Sequence, residues 1–473
     1  MHVNMGKLLP ALAVSKHITS DTQFMFQFYK PAIQYYAPSP QLSTIMSRDR
    51  LHSSLATALH GCPLLLGRFC IHSDSTVSID YDPSNSNPPT LEFQDVLSVS
   101  YSEIKSRGFS YSLAKQHGID MDVPSGIISK EFDKPMLMIK VSYLADGGLA
   151  LFTMTNHVVF DGNAMFNFIS HWARCHKSGL GFMSIPLDLE TQSTPKTINT
   201  RSALPPAEIC ADASKTPSEI ATDISKPVVG KSMRACVFEI STASIAHLKQ
   251  QVVDSGVLNE GEWVSSNNVL AAFVVQCVAQ ANTNSRVYEA GDWTVFQTMD
   301  MRRVLGLPLR GLGSPLILAE CQVVAGEIMD NDQFPVLARR VRLSLGKYSP
   351  EYLQAAMRWV NAEYSRMAAC GTKEPWRHFW FPGLDTNHRT VGVSCMNRIP
   401  VYDADFGAGR PTMTRSINPR PNYIIIFPGP PASAKGPASE YSSLHLYVTL
   451  EGPAMDALCA DAAWNQRCEL IGD

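Results

Sequence analysis

A chain of 473 residues is long enough for two domains of roughly 200 residues, each burying its own core. Hydrophobic residues make up 45% and charged residues 18%, a globular balance that argues against long charged or disordered tails. A net charge of -3 without any concentrated basic stripe argues against broad nucleic-acid binding.

The first predicted strand is Leu8 to Val14, too short and too soon followed by polar residues to read as a secretion signal. Phe24, Phe26 and Phe28 alternate at period two and predict a second strand. A helix follows from about Ser47, with Leu51, Leu55 and Leu59 on one face, and stops at Gly61. Pro63 to Phe69 leads into strand-like alternation through Ile71 and Val77 to Tyr81. Met136 to Tyr143, a turn at Asp146-Gly147-Gly148 and the run Leu149 to Thr155 predict a hairpin. It delivers Asn156-His157-Val158-Val159-Phe160-Asp161-Gly162 and then a helix with Met165, Phe166, Phe168, Ile169, Trp172 and Ala173 apolar.

A histidine at a strand end, followed by a tight turn, is held at a fixed place. With an unperturbed pKa of about 6.5, imidazole is the side chain best suited to take a proton from a hydroxyl or amine near neutral pH. Asp161 then orients the ring or fixes the loop, and Asn163 is placed to cap the helix. Taken alone, an HxxxD segment is more often a packed core histidine than a base.

From Gly179 to about Val229 the composition shifts to Ser, Thr, Pro, Asp and Lys with little periodicity, as in a linker. Structured patterns then resume. Ala235 to Ile240 reads as a strand, Ile245, Leu248 and Val252 as a helix face, and Ser265 to Asn268 as the cap of an apolar helix from Val269 to about Ala281. Eleven scattered cysteines without a CxxC pair, and no N-x-Ser/Thr acceptor, read as a reduced, cytoplasmic protein. No run approaches the roughly 20 apolar residues of a membrane helix. His171, Cys175 and His176 have helical spacing that suggests a metal, but such a set on an amphipathic helix is more often packed or solvent-facing, so no metal is expected. GxSxG, GxxxxGK[ST] and a strand-linked GxGxxG are absent, which speaks against a serine hydrolase or a dinucleotide enzyme.

Four separated segments in order carry a resemblance. They are Pro63-Leu64-Leu65-Leu66-Gly67-Arg68, the HxxxDG of His157 to Gly162, Asp300-Met301-Arg302-Arg303, and Asp405-Phe406-Gly407-Ala408-Gly409. With them the chain resembles the BAHD acyltransferases, coenzyme-A-dependent enzymes of plant and fungal specialised metabolism, and more the fungal branch. The likeness runs from about Ser15 to Met455. It implies an α/β fold of two chloramphenicol-acetyltransferase-like domains, each a mixed β-sheet with flanking helices, and a channel between them. The expected division is 1–180, which also receives 404–428, a crossover at 181–229, and 230–473.

The resemblance assigns His157 the role of general base in a ternary complex, without an acyl-enzyme. It pairs Asp161 with Arg302 as structure behind the site, together with Gly162. It makes Asp405, Gly407 and Gly409 structural at the coenzyme A side. Ser394 aligns where relatives often carry a hydroxyl residue and is the candidate oxyanion donor, although a serine bonded within its own strand is an equal reading. Met396 stands where plant members often carry tryptophan. Three departures stand out: Asn156 for a tandem histidine, Ala408 for the DFGWG tryptophan, and Gly311-Leu312-Gly313-Ser314-Pro315 for a YFGN-like stretch. The expected activity is transfer of an acyl group, foremost acetyl from acetyl-CoA, to a hydroxyl of a hydrophobic natural product. The expected partners are acyl-CoA and a small-molecule alcohol, with no nucleic acid or membrane, and the protein is expected to be a monomer. The alternative is a cyclase, isomerase or ligand-binding protein that has lost coenzyme A use.

Overall fold

The computed structural model describes residues 14–18, 29–72, 77–121, 134–179, 210–211, 214, 232–372, 375–380, 389–417, 420–431 and 441–473. The predicted strand at Phe24 to Phe28 lies outside the described residues, as does most of the polar crossover.

Two mixed sheets dominate. The five-stranded sheet has the order β14 (Met413–Ser416), β2 (Tyr29–Tyr36), β7 (Leu149–Asn156), β6 (Leu137–Leu144) and β5 (Thr90–Val96). Only β5 and β6 run parallel in it. The predicted hairpin is β6 and β7, and Gly147 supplies the positive φ of 84° that its turn requires. The seven-stranded sheet has the order β11 (Leu316–Val323), β10 (Trp293–Asp300), β13 (Thr390–Cys395), β15 (Tyr423–Pro428), β16 (Ser443–Glu451), β9 (Met233–Ser241) and β17 (Cys468–Gly472). β13 is parallel to both of its neighbours and the other pairs are antiparallel. Among the described residues there are two further small sheets, with β1 (Val14–Ile18), β4 (Val77–Tyr81) and β3 (Arg68–Ile71) in one and β12 (Phe379–Trp380) with β8 (Cys210–Ala211) in the other. The segment 404–428 is shared, since Met413–Ser416 pairs in the five-stranded sheet and Tyr423–Pro428 in the seven-stranded one.

Helix α1 (Arg48–His60) follows Ser47 and ends at Gly61, and it packs against α2 (Gly162–Ser178). On the other side, α3 (Thr242–Asp254) packs against α4 (Ser266–Asn284). α4 is apolar on nearly every face, as a helix enclosed by protein must be. Its start is fixed by a reciprocal pair of bonds between Ser265 and Asn268.

Strand alternation sends the two faces of the seven-stranded sheet to different cores. Val295, Val391, Val393, Ile424 and Ile426 face α4, while Phe296, Ile425 and Phe427 join Val158, Phe160 and Phe166 in a core shared with the first sheet. Phe166 meets Phe427 edge-on at 5.7 Å across that junction. The strand-to-helix connection holding His157 therefore lies where the two halves meet.

Candidate active site

Every residue of β7 is buried, so the connection after Asn156 starts from a rigid strand end. Asn156 Oδ1 accepts from Val158 N (3.0 Å) and turns the chain. Phe160 N then donates to Asn156 O (3.0 Å), closing a one-turn loop with His157 inside it. Asp161 has extended angles (φ −73°, ψ −179°), and its Oδ1 accepts from Ala164 N (2.8 Å), which makes it the cap of α2. The expectation that Asn163 caps this helix is corrected. Asn163 already lies inside α2, where its amide donates to Leu309 O (2.6 Å) and its carbonyl accepts from Asn167 (2.9 Å).

Asp161 Oδ2 faces Arg302 Nη1 at 2.5 Å, and the arginine is wholly buried. Burial pushes the Asp161 carboxyl upward, and the guanidinium pulls it back. Arg302 Nη2 also donates to Gly313 O (3.1 Å). The stretch 311–315, which the sequence shows only as a departure, is a strap over the histidine loop. Gly313 N donates to Val159 O (2.7 Å), Asp161 N donates to Gly313 O (3.2 Å), and Ser314 Oγ lies 3.1 Å from His157 Nδ1. Gly313 holds φ at +128°, a region open essentially to glycine. Ser314 is thus a site residue that the sequence reading missed. The signal available was a serine between glycine and proline inside the departure at 311–315.

His157 has Nδ1 on Ser314, and its Nε2 makes no hydrogen bond to the described residues. Burial depresses its pKa to about 3, helped by the nearby Lys30 cation and then by Arg420, against a hydrogen bond to its own main-chain carbonyl. The ring is therefore neutral near pH 7. Loss of hydration also lowers Lys30 to about 8, with Asp161 opposing, and lowers Arg420 to about 10.

Ser394 is buried on the face of β13 that looks toward the shared core. Its hydroxyl bonds to Tyr423, and the Tyr423 hydroxyl lies 2.6 Å from Thr298 Oγ1. Gly392 makes this row possible, because an added Cβ would meet the Tyr423 ring at 2.3 Å. A side chain at Gly162 would likewise strike Met396 Sδ at 2.7 Å, so α2 starts in contact with β13's end.

Asp405 Oδ1 accepts from Gly407 N (2.8 Å) and Gly409 N (3.1 Å), and Oδ2 meets Lys177 Nζ at 2.5 Å. Burial raises this carboxyl, but Lys177 and the two glycine N–H groups outweigh it and hold it below the ordinary range. Phe406 packs edge-on against Trp172 at 4.9 Å and His176 at 5.4 Å. The loop thus braces the far end of the helix that Asp161 caps. His176 bonds to Ser54 Oγ (2.8 Å) and Ile45 O (2.8 Å), while His171 lies 3.7 Å from Cys175 Sγ, so these three are packing groups. Among the described residues no group of three or more His, Cys, Asp or Glu is placed to hold a metal ion. None of the described helices is long and apolar enough to cross a membrane.

The profile of the Transferase family matches residues 116–463. Akuammiline synthase 1 of Alstonia scholaris is 24% identical over 93% of this chain and 90% of its own length. BAHD acyltransferase DCR of Arabidopsis thaliana is 22% identical over 87% of this chain and 78% of its own. The structure of F. sporotrichioides TRI101 complexed with coenzyme A and T-2 superposes with a TM-score of 0.76 at 17% identity, covering 97% of this chain and 100% of that one. The fold is therefore the two-domain α/β fold of TRI101, and the reading without coenzyme A is set aside. With its HxxxDG loop, Asp161–Arg302 lock and braced DFGAG segment in place, this chain belongs to the Transferase family, the BAHD group, and is an acyl-CoA-dependent acyltransferase.

Proposed function

We propose that this protein transfers an acetyl group from acetyl-CoA to a hydroxyl of a hydrophobic natural product, with His157 as general base in a ternary complex. The observation that carries the reading is the pinned imidazole, with Nδ1 engaged by Ser314 and Nε2 left to face substrate. With the proton on Nδ1, Nε2 keeps its lone pair and takes the proton of the acceptor hydroxyl. The acceptor oxygen forms its bond to the thioester carbonyl carbon, and charge builds on the carbonyl oxygen. Ser394 is the donor proposed for that oxygen, and its place on the face toward the shared core supports the role. Collapse breaks the carbon–sulfur bond, and the sulfur recovers the proton from Nε2. The products are ester and coenzyme A.

TRI101 is described with coenzyme A and T-2, or with deoxynivalenol, which supports a bulky small-molecule acceptor. Asp161, Arg302, Asp405, Gly407 and Gly409 act as scaffold in this reading. The proposed boundaries remain 1–180, 181–229 and 230–473, and the protein is proposed to work as a cytoplasmic monomer in keeping with its scattered cysteines. The test is incubation with acetyl-CoA and longer acyl-CoAs against a panel of polyketide and terpenoid alcohols, read by mass spectrometry. A mass gain of one acetyl group on an acceptor is the predicted result. Intact acceptors with every donor overturn the reading, and exclusive use of longer donors overturns the acetyl assignment.

A further inference from the structure

Strand register puts Phe296 of β10, Gly392 of β13 and Tyr423 of β15 in one row across the seven-stranded sheet. Because Gly392 has no side chain, the Tyr423 ring lies across it, and an added Cβ there would meet the ring at 2.3 Å. The ring carries its hydroxyl to the next position on the same face, 2.6 Å from Thr298 Oγ1 and bonded also to the Ser394 hydroxyl. This face looks into the junction of the two halves, with Phe296, Ile425 and Phe427 around the row. Two contacts tie the row to the histidine loop. Met396, two residues after Ser394, is the side chain that a Cβ at Gly162 would strike at 2.7 Å. On the other flank β10 pairs Asp300 with Leu316, and Ser314 just before it lies 3.1 Å from His157 Nδ1. Tyr423 and His157 are each partly exposed between buried chain neighbours, so each borders open space within the junction.

Three hydroxyls in a row share three protons, and the direction of those protons decides what Ser394 can do. The phenol is the most acidic of the three, hence the best donor and the poorest acceptor. Burial pushes the Tyr423 phenol up, so it keeps its proton at neutral pH. Tyr423 therefore donates to Ser394 Oγ and accepts from Thr298 Oγ1, which leaves the Ser394 proton to point out of the row. A hydroxyl that accepts such a bond is polarised into a stronger donor. We propose that Tyr423, held by Thr298, is a positioning residue that aims and strengthens Ser394 as the donor to the thioester carbonyl oxygen. No covalent bond changes within the row: each proton stays on its own oxygen and moves closer to its neighbour as charge builds on the carbonyl oxygen. Gly392 belongs to the same device, since any side chain there would push the ring off the row. The role rests on the acyl-transfer reading, with Ser394 as its donor.

The test is a double-mutant cycle in the full-length protein, with acetyl-CoA, or the longer acyl-CoA that the wild type uses, and its best acceptor. Tyr423→Phe keeps the ring over Gly392 and removes only the hydroxyl. It is expected to lower kcat about tenfold, with the KM for acyl-CoA within about twofold and the melting midpoint unchanged. Ser394→Ala is expected to lower kcat about 100-fold. Adding Tyr423→Phe to Ser394→Ala is expected to change kcat by less than about twofold, because the tyrosine then has nothing to aim. Thr298→Val is expected to lower kcat about threefold, and Thr298→Ser to retain the wild-type rate. A kcat for Tyr423→Phe within about twofold of wild type, or losses that multiply in the double variant, overturn the proposal. If Tyr423→Phe unfolds, the Thr298 pair decides, and equal rates for Val and Ser overturn it. Wild-type transfer that His157→Ala abolishes and Tyr423→Phe leaves intact overturns the role of Tyr423 alone. No transfer from any donor removes the acyl-transfer reading and this role with it.

Discussion

Asp161 joins two functions, and its substitutions separate them. Its Oδ1 caps α2 through Ala164 N, and its Oδ2 neutralises the fully buried Arg302. Asp161→Asn keeps an oxygen for the cap but turns an amide toward the guanidinium, donor against donor. Breaking a buried ion pair by removing one partner costs about 3 to 5 kcal/mol. Asp300 softens this slightly, at 3.2 Å from Arg302 Nη1, but its side chain is 40% exposed and offers a weak substitute. Asp161→Ala loses the cap as well, adding about 1 kcal/mol. For a domain of this size each kcal/mol lowers Tm by about 2 to 4 °C, so Asn is expected to melt at least about 6 °C below wild type and Ala lower still. Replacing both partners, as Asp161→Asn with Arg302→Met, leaves no buried charge and is expected to recover part of the loss. Circular-dichroism melts of wild type, Asp161→Asn, Asp161→Ala, Arg302→Met and the double variant decide the matter. If Asp161→Ala melts within about 2 °C of wild type, or the double variant is no more stable than the sum of its parts predicts, the lock is not what holds the loop.

Ser314→Ala removes the partner of His157 Nδ1 without touching substrate, so kcat is expected to fall about tenfold with Tm nearly unchanged, in steady-state and melting measurements. Gly313→Ala forces a side chain into φ +128° and is expected to destabilise by about 1 to 3 kcal/mol in urea titration, with loss of rate as the strap shifts. The depressed pKa of His157, about 3 against 6.5, also has a pH signature. The unfolded chain takes up a proton there below pH 6.5 while the folded one does not, so this share of stability is complete above 6.5 and is lost as pH falls toward 3. Stability of wild type is therefore expected to fall more steeply between these limits than that of His157→Gln, as read from urea midpoints across pH.

What the sequence reveals here is what lies close together along the chain. The hairpin, the turn and α2 form one continuous run, so the placement of His157 and its neighbour Asp161 follows from local periodicity and turn chemistry. Helix α1 is equally legible, between Ser47 and Gly61. The cap of α2 falls two residues from where the pattern suggests, because Asn and Asp are both good caps and only the extended angles of Asp161 choose between them. Ser314, Lys30, Arg420 and Tyr423 escape a linear reading for a different reason. They reach the site from other strands and turns, and no spacing rule links Lys30 to His157 until β2 and β7 are paired. The Arg302 pairing with Asp161 is legible only through the family resemblance, and the structure supplies its contact at 2.5 Å.

The central claim is that His157 is the proton acceptor, held in place by groups that survive its removal. His157→Ala leaves Asp161, Arg302 and Gly313 bonded as before, since none of their bonds passes through the imidazole. The direct test measures coenzyme A binding by calorimetry and turnover of the best acceptor on one preparation of this variant. The account predicts a coenzyme A Kd within about twofold of wild type and turnover slowed by about 100-fold or more. Near-normal turnover, or loss of coenzyme A binding together with the rate, contradicts it.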